Sequence, residues 1–162
     1  MTELSSMAGA VGALLKQNRQ TVAVAESSAG GLISASLLAV PGASAYFLGG
    51  AVVYTGSARA GLLGIEDDAM AGMRASTESY ALLKAKSVRG SLGTTWGLSE
   101  TGASGPTGNR YGDAAGHACI AVVGPVERVM TLETGDTDRE ANMWAFARAA
   151  LGLLDQCVRQ SN

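Results

Sequence analysis

Val22-Ala-Val-Ala-Glu26-Ser27-Ser28-Ala29-Gly30-Gly31-Leu32-Ile33 restricts the fold of this chain more than any other stretch, because a Val-rich apolar run gives way abruptly to two glycines and a helical pattern. A short apolar run of this kind reads as a buried strand, and Gly30-Gly31 as the tight turn that leads into a helix. A carboxylate and two hydroxyls then fall at the carboxyl end of a strand, where turn amides left free suit an anionic ligand or an oxyanion. The plain alternative is a strand-to-helix loop in which Ser27 or Ser28 serves only as N-cap.

The alternation continues along the chain. Leu4, Met7, Val11 and Leu14 recur at helical spacing and predict an amphipathic N-terminal helix ending before Gln17-Asn18-Arg19-Gln20, followed by strand one over Thr21 to Ala25. A helix over Leu32 to Leu38 is stopped by Val40-Pro41-Gly42, and Leu48 to Tyr54 reads as strand two. Short helical pieces follow over Gly56 to Leu63, closed by Gly64, and over Asp67 to Met73, then a longer helix from Thr77 to about Arg89. Strands are expected over Thr95 to Glu100, His117 to Val123 and Arg128 to Leu132, the first two separated by the glycine-rich loop Thr101 to Asp113. The last helix is expected to open at Thr137 with Glu140 completing a capping box. Its stripe Trp144, Ala147, Leu151, Leu154 and Val158, flanked by Met143, Phe146, Ala150, Leu153 and Cys157, is wide enough to need the sheet plus either another helix or a partner subunit. These elements make a single α/β domain over residues 1–162, a three-layer α/β/α arrangement with a mixed sheet.

With 47% hydrophobic and 16% charged residues, the chain has material for a large core and needs no staple. The formal charge of −2 comes without a basic run, which argues against nucleic acid as a partner. No apolar stretch reaches membrane-spanning length and the N-terminus lacks a signal-peptide pattern, so a soluble cytoplasmic protein is expected, with no membrane partner. Cys119 and Cys157 read as buried thiols, and one histidine, His117, leaves no zinc-ligand spacing, so no metal is expected.

Several nucleophile and phosphate motifs are missing, among them G-x-S-x-G, the P-loop and H-E-x-x-H. His117 begins an apolar strand, where a structural role outweighs that of a general base. What remains is Ser27 after strand one, Tyr54 after strand two and Thr101 after a third strand, all at carboxyl ends, where α/β sheets gather their ligands. A nucleophilic serine needs a base, and after Tyr54 the segment Thr55-Gly-Ser-Ala-Arg59 offers only Arg59 as an ionisable group.

Ala25-Glu26-Ser27-Ser28-Ala29-Gly30-Gly31-Leu32-Ile33, Pro41-Gly-Ala-Ser44-Ala-Tyr46-Phe47, Val53-Tyr54, Leu62-Leu63-Gly64 and Thr101-Gly102-Ala103-Ser104-Gly105-Pro106 occur in an order and at intervals that resemble the CinA C-terminal domain family, which includes the stand-alone nicotinamide-nucleotide amidases (PncC). The resemblance implies an α/β/α domain that forms homodimers. It also implies hydrolysis of nicotinamide mononucleotide to nicotinate mononucleotide and ammonia without metal or cofactor. It places the nucleophile on Ser27, a tyrosine on Tyr54 and a supporting serine on Ser44, although Ser44 by itself reads as a turn cap. Glu26, Ser28, Gly30 and Gly31, and Thr101, Gly102, Ser104 and Gly105, become the substrate-binding candidates, the second group for its backbone amides. Where the family has Tyr-Ser-Asn-Glu-Ala-Lys, this chain has Tyr54-Thr-Gly-Ser-Ala-Arg59, so the lysine that activates the serine is an arginine. A guanidinium stays protonated and offers only donors. Arg59 therefore has three readings: an anion holder in a site that binds nucleotides without turning them over, an orienting group while Tyr54 or His117 acts as base, or a member of a surface ion pair.

Overall fold

The computed structural model describes residues 2–162. β1 (Val22–Glu26) is buried along its whole length, as expected for a strand covered on both faces. Its pleat sends Val22 and Val24 into one core and Ala23 and Ala25 into another on the opposite face. β2 (Phe47–Val52) pairs with it in parallel on one side and β3 (Trp96–Ala103) in parallel on the other. β4 (His117–Val123) and β5 (Arg128–Glu133) continue the sheet antiparallel, giving the order β2-β1-β3-β4-β5.

Three helices cover one face: α1 (Thr2–Gln17), α2 (Leu32–Leu38) and α5 (Arg139–Gln160), joined in a core with Trp96, Leu98, Ile120 and Val122. α3 (Gly56–Leu63) and α4 (Glu78–Leu92) cover the other, with a 3₁₀ turn over Asp67–Met70 between them. At Gly97 a Cβ would lie 2.2 Å from the Ala85 carbonyl oxygen, so only glycine lets α4 approach β3 this closely. The chain is thus one α/β/α domain with a mixed five-stranded sheet.

Topology also fixes where a site can form. The connection from β1 through α2 leads outward to β2, and the return through α3 and α4 on the opposite face leads to β3 on β1's other side. The carboxyl ends of β1 and β3 therefore flank a switch point, where connections diverge and leave a crevice.

Among the boundaries that differ from the sequence reading, three bear on the site. β3 extends past Glu100 to Ala103, because Thr101, Gly102 and Ala103 pair with Cys119, Ala118 and His117, a tertiary ladder that overrides the weak strand propensity of Gly102 and Ala103. β2 ends at Val52 rather than Tyr54, which leaves Tyr54 in the following loop. α5 opens one residue later than expected: Asp138, not Thr137, is the N-cap, its carboxylate accepting the Ala141 N–H at 2.9 Å, so the Thr137–Glu140 capping box does not form. A carboxylate is a stronger acceptor than a hydroxyl at the positive end of the helix.

Candidate functional site

A cleft of about 760 Å³ opens at the carboxyl ends of β1 and β3, on the α3/α4 face. Ser27, Tyr54, Arg59, Thr101 and Gly102 all line it. Beside it lies a smaller cleft of about 210 Å³, lined by Ser28, Ser104, Gly105, Thr107 and Arg139 and sharing Tyr54, Gly102 and Asn109 with the first. Three arginines (Arg59, Arg74, Arg110) and three tyrosines (Tyr54, Tyr80, Tyr111) line the larger cleft, and among the described residues no carboxylate does. Arg74 and Arg110 each stack on the Tyr111 ring at 5.0 Å from its centroid.

The loop that presents Ser27 is held from behind by two buried carboxylates. Glu26 Oε1 accepts the Gly31 and Ile33 N–H groups at 3.1 and 2.9 Å, and its Oε2 accepts that of Ser34 at 2.8 Å. Glu100 Oε2 accepts the N–H groups of Ser27 at 3.0 Å and Ala29 at 2.9 Å. Gly30 donates to the Ser27 carbonyl at 3.1 Å. Two expectations are corrected by this network. Glu26 is fully buried on the α2 face and neutralises the start of that helix, so it is not a substrate ligand. The Gly30 and Gly31 amides are not free for an anion; the positive φ of both residues, 67° and 99°, serves to wrap the turn around the Glu26 carboxylate.

Ser44 is corrected as well. It is exposed in the 3₁₀ turn Ala43–Ala45, next to Tyr46, whose carbonyl receives the Val22 N–H at the opposite end of β1. That is the length of a strand, roughly 15 Å, from Ser27. Ser28 turns its hydroxyl to the Gly102 carbonyl at 2.6 Å, and Thr101 Oγ1 receives the Ser76 N–H at 3.2 Å. The Ser104 and Gly105 carbonyls are tied to α5 by Asn142 Nδ2 at 2.9 Å and Arg139 Nη1 at 2.6 Å.

Arg59 makes no hydrogen bond to Ser27. Its Nη2 is paired with Asp67, and its Nε donates to the Ile65 carbonyl at 3.1 Å. Of its three readings the ion pair is the one present, although the side chain remains part of the cleft wall. His117 lies outside both clefts: its Nδ1 is 2.5 Å from Glu133 Oε1 and its Nε2 is 2.8 Å from the Ser76 carbonyl oxygen. It holds β4 to β5 and to the segment ahead of α4, which leaves it no part in activating Ser27.

Residues 4–158 match the model of the CinA C-terminal domain. The chain belongs to the CinA C-terminal domain family. A CinA-like protein of Cyanothece is 40% identical over 155 residues, 96% of this chain and 37% of that protein. One from Myxococcus xanthus is 42% identical over 130 residues, 77% of this chain and 30% of its own. This CinA domain therefore spans about a third of the length of these curated relatives. Its fold is that of a competence-damaged protein (CinA) superfamily structure from Klebsiella pneumoniae, with a TM-score of 0.90 at 21% identity over 97% of this chain and 98% of that one. The competence/damage inducible protein CihA from Agrobacterium tumefaciens follows at TM-score 0.86 and 25% identity, covering 96% and 95%.

Within this CinA domain, two residues to which the sequence assigned no site role stand at or behind the clefts, Arg139 and Lys84. Arg139 donates to the Gly105 carbonyl at 2.6 Å and to the Tyr54 hydroxyl at 3.0 Å, and in the sequence it is marked only as the arginine two residues after Gly135-Asp136-Thr137. Lys84 is fully buried on α4, its Nζ donating to the Glu100 carbonyl at 2.8 Å and lying 5.4 Å from the Tyr80 ring centroid. Burial pushes its ammonium down to about 8 against the pull of Glu100 and Glu26. Its signal was positional: Tyr80, Lys84 and Val88 share one helical stripe beside Ala81 and Ala85, where a solvated lysine has no place. Among the described residues no group of three or more His, Cys, Asp or Glu side chains is placed to hold a metal, and no helix is long and apolar enough to cross a membrane.

Proposed function

We propose that this domain is an amidohydrolase acting on nicotinamide mononucleotide, with Ser27 as nucleophile. The observation that carries the reading is the larger cleft itself, where Ser27 stands on a wall otherwise rich in arginine and tyrosine and free of carboxylates. Such a lining suits a ligand with an aromatic ring at one end and a phosphate at the other. Arg110 and Arg139 have no carboxylate partner among the described residues, which leaves their charge to a phosphate at the shared rim of the two clefts. Ser27 Oγ attacks the carboxamide carbon, ammonia leaves, and water hydrolyses the resulting ester. Of the backbone donors near Ser27, those of Ser27 and Ala29 are committed to Glu100, so the Ser28 N–H is the donor of this loop that can meet the developing oxyanion.

A second reading is favoured by the Arg59–Asp67 pair, which supplies no base at position 59: a domain that binds the nucleotide without turning it over. Ammonia release from nicotinamide mononucleotide separates the two. The amidase reading expects release that disappears in Ser27→Ala. Release no faster than in that variant, with nucleotide binding still measurable by calorimetry, selects the second reading.

A further inference from the structure

Lys84 and Glu100 are both fully buried, behind the cleft that Ser27 lines. The β1–β3 ladder ends at Ala25 and Ser99, and Lys84 Nζ takes the next carbonyl along β3, that of Glu100. Through its carboxylate the same Glu100 holds the Ser27 N–H. One residue thus ties the ammonium to the main chain of the candidate nucleophile. Lys84 comes from α4, on the same side of the sheet as the cleft, and Tyr80, one turn before it, lines that cleft. Its ammonium carries three donors and makes one hydrogen bond, while Glu100 Oε1 is buried without a partner. Buried polar groups left without a partner are rare and costly, and desolvated ionisable groups beside a specific charge partner cluster at functional sites. Ser27 Oγ makes no protein hydrogen bond among the described residues, so turning it toward Lys84 breaks none.

We infer that Lys84 is the base that activates Ser27, in place of the lysine missing at position 59. This rests on Ser27 being the nucleophile. As Oγ bonds to the carboxamide carbon, its proton passes to neutral Lys84 Nζ, directly or through one water. When the C–N bond breaks, the departing nitrogen takes that proton and leaves as ammonia. Water then adds to the ester carbon, gives its proton to Nζ, and Ser27 Oγ recovers it as the C–O bond breaks. Burial keeps enough of the amine neutral for this near pH 8.

The charged surroundings of Lys84 are few. β1 contributes Glu26 and β3 contributes Glu100, and β2 carries no titratable residue. On β4 and β5, His117 is bonded to Glu133 and Cys119 lies 3.6 Å from the Ser76 carbonyl oxygen, both at the segment before α4. β5 also carries Arg128, which reaches toward Gln156 of α5. Arg59 of α3 is paired with Asp67, and the other ionisable neighbour on α4 is Tyr80.

Labelling of Ser27 by an alkyl fluorophosphonate, followed by intact-protein and peptide mass, tests this without requiring the natural substrate. The label forms a P–O bond to Oγ and expels fluoride, the hydroxyl proton going to the base. Wild-type labelling is expected to rise with pH through about 8. Lys84→Met and Lys84→Arg are expected to slow it by about 10²–10⁴-fold. Arginine keeps the charge that balances the buried carboxylates but cannot accept a proton, so a lysine with a purely structural role predicts wild-type labelling in Lys84→Arg. Wild-type rates in either folded variant, a pH-independent wild-type rate, or no labelling of wild-type Ser27 overturns the inference. If neither variant folds, the wild-type pH profile decides. Labelling of Ser27 that depends on Lys84, without ammonia release from nicotinamide mononucleotide, leaves Lys84 as the base and removes that substrate.

Discussion

Glu26 and Glu100 reach one loop from adjacent strands and between them absorb the N–H groups of Ser27, Ala29, Gly31, Ile33 and Ser34. The consequence is a candidate nucleophile, Ser27, whose main chain is fixed from inside the protein rather than by ligand. Replacing Glu26 by Ala removes three charge-assisted hydrogen bonds and the counter-charge at the start of α2. The expected loss is about 3–5 kcal/mol, read as a lower urea midpoint. A Glu26→Ala protein of unchanged midpoint and weakened nucleotide binding returns Glu26 to the ligand. The sequence already held part of this distinction. Strand alternation puts Glu26 on the same side as Val22 and Val24, facing α2, and Ser27 on the other side. What it lacked was the second carboxylate, since Glu100 lies 71 residues from Ala29 and only the β1–β3 pairing brings them together.

The loop between β3 and β4 carries much of the cleft wall and is held by charge rather than by apolar packing. Asp113 receives Arg74 Nη1 at 2.7 Å and Nη2 at 3.2 Å and also Asn109 Nδ2 at 2.8 Å, while His117 at its far end leans on Glu133. These bonds set a pH window. The Arg74 guanidinium and the Asn109 amide outweigh desolvation and hold Asp113 below its ordinary value, so its contribution is present above about pH 4 and is lost as pH falls through the depressed native value. Burial opposes protonation of His117, but Glu133, the Ser76 carbonyl and Asp113 outweigh it and raise its value. That contribution is full below about pH 6.5 and is lost as pH rises through the raised native value. The melting temperature of wild type relative to Glu133→Gln is therefore expected to shrink as pH rises from about 6 to 8. Relative to Asp113→Asn it shrinks as pH falls below about 4. A difference that is flat over either range contradicts the corresponding bond. Composition marked this stretch as a polar glycine-rich loop, but the Arg74–Asp113 contact spans 39 residues and has no local signature.

For the whole molecule, the decisive contact is that of the first helix with the last. The apolar arc of α5 was wide enough to demand two partners, and the sequence left open whether the second was a helix or another subunit. α1 fills it: Leu4, Ala8, Val11 and Leu15 are fully buried in one core with Phe146, Ala150, Leu151 and Leu154. The arc therefore gives no reason to invoke a second copy, and the homodimer implied by the family resemblance would use a different surface. Both helices were legible from their periodicity, whereas their contact, across nearly the full length of the chain, was not. Burying Leu4, Val11 and Leu15 contributes about 5–9 kcal/mol, comparable to the whole stability of an ordinary domain. Leu15→Ala is accordingly expected to fold and to lose about 2–5 kcal/mol in urea. Deletion of residues 2–17 bares the arc of α5 and is expected to yield a chain without a cooperative melt, although Ser27 and the cleft lie at the other face of the sheet. A truncated chain that melts as sharply as the intact one, at a similar temperature, places α1 outside the cooperative core and leaves the arc free for a partner subunit after all.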